Sequence, residues 1–388
     1  MLRPKSPQNL GTVQSDRECA VARARAPVRC ARTHLVRNER ETGPGEEMPV
    51  LLLSATAHAM LLVVHSKVSI APADTALSAQ THEFSPATPL PPAHRRVPTN
   101  ATRVRNLTAL GGILATVVPT DVELMPGVYS RPDSSNASAN VVFSTAHRLW
   151  SSELVGAVLR VGLTYNMKAD VPGIGATGAQ IHGLKFAGRP PDGALGQVSV
   201  PFSGKHASSP AAYLSIEDCE FDGEGVADAA IFAQANDGLV VRRILVQNFT
   251  KWGLRIDQYM GGPHNFITRQ IELSDLDISQ VAMPHCGNDD GRSEAGLWLG
   301  NTGRAQRIRI RDCGWMGVWT GSNCFGCELS DLDIDRIGRS ADDGCNNTVT
   351  RYAGVGFYME HYTYNTYVHH FRIGQNVALG FNSEVRGY

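Results

Sequence analysis

The 388 residues carry 36 Lys and Arg against 37 Asp and Glu, a formal net charge of −1, with 42% apolar and 19% charged residues. That balance leaves no basic field for nucleic acid and no acidic-tail character. Eight cysteines at irregular spacing are too few for a disulfide scaffold, and no apolar run reaches the roughly 20 residues of a membrane-spanning helix.

Along residues 1–47 nine basic groups face six acidic ones without helical or strand periodicity, as expected of disorder or of a reading frame begun too far upstream. From Met48 the chain reads MPVLLLSATAHAMLLVVHS. The apolar stretch over 48–64 and its Ala57-His58-Ala59 have the form of a cleaved export signal, yet Glu46 and Glu47 stand where a signal needs positive charge. Residues 70–99, rich in Pro, Ala, Thr and Ser, suit a linker. The expected division is a low-complexity region over 1–96 and one folded domain over 97–388. Gly173 to Gly178 matches GxGxxG but precedes a strand instead of opening a helix, so it reads as a turn-rich bend.

From residue 181 a strand-like phrase recurs with apolar residues at relative positions 0, 3 and 5. Its instances are Ile181/Leu184/Phe186, Ile216/Cys219/Phe221, Val241/Ile244/Val246, Leu273/Leu276/Ile278, Ala305/Ile308/Ile310, Leu329/Leu332/Ile334 and Val368/Phe371/Ile373. Their starts lie 35, 25, 32, 32, 24 and 39 residues apart, which fits a coil of about 24 residues with loop insertions. A second phrase, Gly-apolar-x-apolar, begins at Gly253, Gly296, Gly317, Gly356 and Gly380. Short strands of this kind cannot bury a face alone; stacked coils pair each strand in parallel with its copies and close one continuous core. The pattern predicts an all-β parallel β-helix, a solenoid.

Equivalent residues of successive coils then stack about 4.8 Å apart. Position 2 of the first phrase reads Asp218, Arg243, Asp275, Arg307, Asp331, His370, and position 4 reads Lys185, Glu220, Leu245, Asp277, Arg309, Asp333, Arg372. The alternating signs predict ion pairs between coils; the competing reading is a polar face for an acidic sugar polymer. In the second phrase the outward position reads Arg255, Trp298, Trp319, Tyr358, Asn382. Its aromatics form either a sugar-binding strip or a satellite cluster under loops. Just beyond, Glu360 and Glu384 fall on adjacent coils, about 5 Å apart, with His361 beside them. That spacing suits a retaining glycosidase pair or a cation; the alternative is two solvated turn residues.

Two insertions, Ser279 to Ala295 and Asp335 to Ala353, each carry an Asp-Asp-Gly and a Cys. Asp289, Asp290, Asp342 and Asp343 with Asn288 could hold Ca²⁺, and Cys286 could pair with Cys345 in an exported protein; ordinary turn chemistry is the other reading. Cys324-Phe325-Gly326-Cys327 is a lone CxxC, short of a zinc site unless Cys286, Cys313 or Cys345 completes it.

Over roughly residues 120–388 these phrases resemble the right-handed parallel β-helix, pectin-lyase-like proteins. Asp121-Val122-Glu123-Leu124-Met125-Pro126-Gly127-Val128-Tyr129 is similar to the V-x-L-x-P-G-x-Y first strand of secreted members. The resemblance implies that Leu107 to Val118 is an N-terminal capping helix. It also implies that a C-terminal cap is missing and that the chain is a truncated one. It further implies a secreted, monomeric protein acting on a polysaccharide. The hydrolase version uses Glu360, Glu384 and His361. The lyase version uses Arg307, Arg309 and His370, with Asp275 and Asp331 between them. In either, Trp298, Trp319 and Tyr358 hold the sugar. The alternatives are a non-catalytic glycan-binding or cell-surface module and an inactive fragment.

Overall fold

A computed structural model of the chain describes residues 86–131, 140–143, 145–165, 178–190, 196–200, 214–234, 238–257, 271–282, 294–300, 303–321, 324, 326–338, 354–360, 363, 366–374, 377 and 379–383. The signal-like segment 48–64, the glycine stretch 173–177, Cys286, Asn288, Asp289, Asp290, Asp342, Asp343, Cys345, His361 and Glu384 lie outside them. The chain divides between Leu77 and Ser78, and all described residues belong to the second unit.

That unit is a right-handed parallel β-helix of two long sheets, one of 14 strands and one of nine, every pairing of which is parallel. The first phrase builds the larger sheet. In early coils it forms two short strands, Leu214–Glu217 and Glu220–Asp222; in later coils these merge into one of 11 residues, such as Leu239–Phe249, Ile271–Val281 and Gly303–Cys313. The second phrase builds the nine-stranded sheet, including Trp252–Asp257, Ala295–Leu299, Met316–Thr320, Val355–Met359 and Leu379–Ser383.

The register is the one that the repeats predict. Ile181, Ile216, Val241, Leu273, Ala305, Leu329 and Val368 are successive partners, as are Ile244, Leu276, Ile308, Leu332 and Phe371. Position 5 runs from Phe186 through Phe221, whose rings stack 4.7 Å apart, to Ile334 and Ile373. From Ile181 to Ile334 the residues at positions 0, 3 and 5 are fully buried, each large aliphatic one contributing about 1.5–3 kcal/mol.

Position 2 is where each strand bends. Asp218, Arg243, Asp275, Arg307, Asp331 and His370 all have φ between 51° and 58°, a left-handed conformation that costs a non-glycine residue about 1–2 kcal/mol. The bend interrupts the ladder for one residue. Arg242 pairs with Ser274 and Ile244 with Leu276, while the bend residues between them are skipped. Inward phase is thereby kept at positions 0 and 3, an odd separation that an unbent strand would place on opposite faces.

The helix occupies Leu107–Leu114, shorter than the apolar stretch. Asn106 caps it by accepting from the Ala109 N–H, and Leu110 and Leu114 are buried in the core. Val117 and Val118, counted with the helix in the sequence, are instead exposed. Tyr129 in the first coil donates from its hydroxyl to the Val104 and Met125 carbonyls. At the other end, Phe371 and Phe381 occupy core columns and Leu379 pairs with Val355, and all three are nearly half exposed.

The recurring glycine follows from the cross-section. A Cβ on Gly317 would lie 2.6 Å from the Gly356 carbonyl oxygen and 2.7 Å from Ile334 Cγ2, whereas one on Gly380 meets nothing closer than 3.9 Å. Gly317→Ala is therefore expected to lose about 1–3 kcal/mol by overpacking and Gly380→Ala next to nothing. Denaturant midpoints of the two variants check this, and equal midpoints would contradict it.

Candidate functional site

The charged columns are ion-pair ladders. Arg243 donates to both carboxylate oxygens of Asp218 at 2.6 and 2.9 Å, and Arg307 to those of Asp275 at 2.7 and 2.8 Å. At position 4, Lys185 bonds Glu220, and Arg309 sits between Asp277 (3.4 Å) and Asp333 (3.7 Å), which also receives Arg372. Arg307 and Arg309, expected to meet substrate, already hold carboxylates.

The aromatic column also has the predicted register. Arg255, Trp298, Trp319, Tyr358 and Asn382 are successive partners. The Trp298 and Trp319 rings stack at 4.2 Å, Tyr358 meets Trp319 edge-on at 5.6 Å, and the Arg255 guanidinium lies 4.0 Å from the Trp298 ring centroid. It is not an open strip. Trp319 is 6% and Tyr358 3% exposed, forming a second apolar cluster with Ala295, Met316 and Val355. Two of the three aromatics expected to face a sugar are thus covered, in the manner of a satellite cluster.

Glu360 follows Val355–Met359, half-buried, and its N–H donates to the Thr320 carbonyl. Cys324 and Cys327 are joined in a disulfide, so they offer no thiolate pair. Cys219 and Cys313 are buried thiols pushed up by desolvation to about 12, hence unreactive.

Sequence reading missed the richest constellation. Residues 86–98, taken for linker, form an arm that runs along the bend column. The Leu90 N–H donates to Asp275 Oδ1 at 3.1 Å, the Ala93 N–H to Asp218 Oδ1 at 2.9 Å, and His94 Nε2 contacts the Ser152 carbonyl. Arg95 bonds Glu217 at 2.5 Å and Asp218 at 3.1 Å. Beneath the arm, His182, Glu217 and Asp218 place ligand-type atoms within 4.8 Å of one another, and His182 stacks on Trp150 at 4.2 Å. The cavity there, about 10 Å³, has room for one water. Two guanidiniums already neutralise the two carboxylates, so the cluster is a paired network in place of a cation site.

Burial alone would raise the Asp218 carboxyl. Hydrogen bonds from Arg243 and Ala93 and the charges of Arg243 and Arg95 outweigh it and hold the carboxyl below the usual range. Asp275 is lowered in the same way, with Arg307 and the Leu90 N–H opposing desolvation, and Glu217 by Ser215, Arg95, His182 and Arg243. His182 is pushed down to about 4, chiefly by burial.

Past Asp275, which Leu90 bonds, the bend column continues through Arg307 and Asp331 to His370. There the outward residues are Arg304, Glu328 and Tyr367 at one position, His369 at the next but one, and His370 at the bend. Arg304 donates twice to Glu328 Oε2, at 2.8 and 3.0 Å, and holds its carboxyl below the usual range. His369 Nε2 lies 3.6 Å from Glu328 Oε1, its Nδ1 lies 3.2 Å from His370 Nδ1, and its ring is 5.1 Å from that of Tyr367. Tyr367 is 66% exposed. His370 was singled out in the sequence; His369, Tyr367, Arg304 and Glu328 were not, although the register places them beside it. No family model, curated protein or solved structure matches the chain.

The shifts fix the acid response. His182 binds its proton more readily unfolded, so stability falls as pH drops from about 6.5 toward 4. Glu217, Asp218 and Asp275 add stability above their unfolded values, and this is lost as pH falls through their lower folded values. Melting temperatures against pH should fall more gently between 6.5 and 4 in His182→Gln, with the steep loss below 4 retained. His147, also lowered by burial, leaves a residual slope. An unchanged profile would contradict the assignment.

Proposed function

We propose that the chain is a secreted, pectin-lyase-like β-helix protein that acts on an acidic polysaccharide by elimination, at the open end of the bend column. The observation that carries this reading is the His369–His370 contact on the exposed face, flanked by Tyr367 and by the Arg304–Glu328 pair. One Nδ1 of two imidazoles 3.2 Å apart must accept while the other donates. With its Nε2–H toward Glu328 Oε1 (3.6 Å), His369 accepts at Nδ1 from His370 Nδ1–H, which leaves the lone pair of the neutral His370 on Nε2, at the exposed bend. Such a nitrogen can take the proton beside a uronate carboxyl, with Tyr367 near enough to return one to the leaving oxygen. Arg304, bonded to Glu328 through Nε and Nη2 but 57% exposed against 30% and 20% for Arg307 and Arg309, offers its Nη1 edge to such a carboxyl as charge builds up. The Cys324–Cys327 disulfide supports export.

The hydrolase version keeps only Glu360 among the described residues, and the Ca²⁺ loops lie outside them. A non-catalytic glycan-binding module is the second reading, favoured by Arg307 and Arg309 being consumed in ladders.

The test is a panel of acidic and neutral glycans assayed for unsaturated products and for new reducing ends. Unsaturated product from an acidic glycan is expected, reduced about 100- to 10,000-fold in His370→Ala and in His369→Ala, with unchanged melting temperatures. Glycan retention without either product would favour the binding module; reducing ends without unsaturation would overturn elimination.

A further inference from the structure

The half of the column under the arm has a different chemistry from the open half, and its geometry names its own partner. Residues 86–98 read PATPLPPAHRRVP, with prolines at 86, 89, 91, 92 and 98. Proline fixes φ near −65° and pushes the residue before it to extended or polyproline II backbone. A polyproline II segment has three residues per turn and a rise of about 3.1 Å, so residues three apart point the same way about 9.3 Å apart. Leu90 and Ala93 are three apart, and both N–H groups donate into the column.

Their acceptors, Asp275 and Asp218, lie two coils apart, with Arg243 between them. Two coils span about 9.6 Å. The polyproline repeat and the double rung of the column thus agree to about 0.3 Å. Prolines at 89, 91 and 92 leave Leu90 as the sole N–H donor between Thr88 and Ala93, and it is the one used. Charge agrees as well. Asp218, Asp275 and Glu217 are side chains 8% exposed or less that offer acceptors, and Arg95, two residues past the second donor, bonds Glu217 and Asp218. Arg243 and Arg307 pair with Asp218 and Asp275, and Arg243 also reaches Glu217, so three carboxylates face two guanidiniums of the column; the remaining negative charge suits one Arg of a peptide.

We propose that the column from Ser152 to Asp275 is a receptor groove for proline-rich, basic peptides in polyproline II form. The chain's own arm is seated there as a built-in ligand, which a segment of the same pattern from another polypeptide can replace. The pattern is a free N–H at every third residue, proline around it, and Arg two residues beyond the second donor. This is independent of the polysaccharide reading, which concerns the other half of the column.

Trypsin reports on the seated arm, because the bond after Arg95 is cut only when Arg95 leaves Glu217 and Asp218. In the full chain, Ala93→Pro removes one donor without touching the core, and one Gly inserted between Pro91 and Pro92 breaks the two-coil match. Each should speed cleavage after Arg95 at least tenfold, while Ala87→Pro, which keeps both donors, leaves it unchanged. In the full-length Ala93→Pro chain, a fluorescent peptide of residues 86–98 should bind by anisotropy. The same peptide N-methylated at Leu90 and Ala93 should bind at least tenfold more weakly. Cleavage indifferent to the inserted Gly, no peptide binding, or equal binding of the methylated peptide would each overturn the proposal.

Discussion

Parallel pairing of every coil with the one above it is the constraint on which the structure depends. It fixes the rung spacing at about 4.8 Å and sets equivalent residues directly over one another, so each outward chemistry is repeated or complemented all the way along. Glycine sits over glycine because the Ile Cγ2 atoms of the facing column take the space of a side chain. Tryptophan lies flat on tryptophan, and Arg reaches back to the Asp one coil before it. A slip of one residue would turn apolar columns outward and bring like charges together.

The left-handed bend shows how that constraint outweighs local preference. Asp and His tolerate the conformation better than most residues, but Arg243 and Arg307 have no such excuse. Glycine at these positions would remove the strain and, with it, the bidentate pairs that hold adjacent bends together. The pairs bring their own cost, since Asp218 and Asp275 are nearly inaccessible to water. Losing Arg243 would leave two buried carboxylates, Asp218 and Glu217, to share the single guanidinium of Arg95, a worse outcome than the strained backbone.

What the sequence revealed divides along the same line. From Ile181 onward, registers, ion pairs and the order of the aromatic column were legible, because each depends only on phase along a repeat. Burial of Trp319 and Tyr358 was not, since phase says which side of a strand a ring faces and nothing of what lies over that side. His369 and Tyr367 were missed for a simpler reason. The alternating charges that mark the columns lie at the bend and at position 4, although the same register sets position 1 and the residue before the phrase beside His370. The arm was illegible as structure because proline-rich sequence makes no internal hydrogen bonds and carries no apolar period. Its only signal, donors three residues apart, has meaning once the acceptors two coils apart are known.

One outward face therefore carries two environments built from a single column. On the early coils Asp218, Glu217 and Asp275 are desolvated; Arg243 and Arg307 of the column supply guanidiniums, and the arm adds two N–H groups and Arg95. On the later coils Tyr367, His369 and His370 replace the Asp–Arg alternation with a phenol and two imidazoles. Under the proposed function a polymer rich in carboxylates docks on the second environment, beside Arg304, because the arm occupies the first. The seated arm thus covers the early half of the face, while the bend at His370 carries an exposed imidazole.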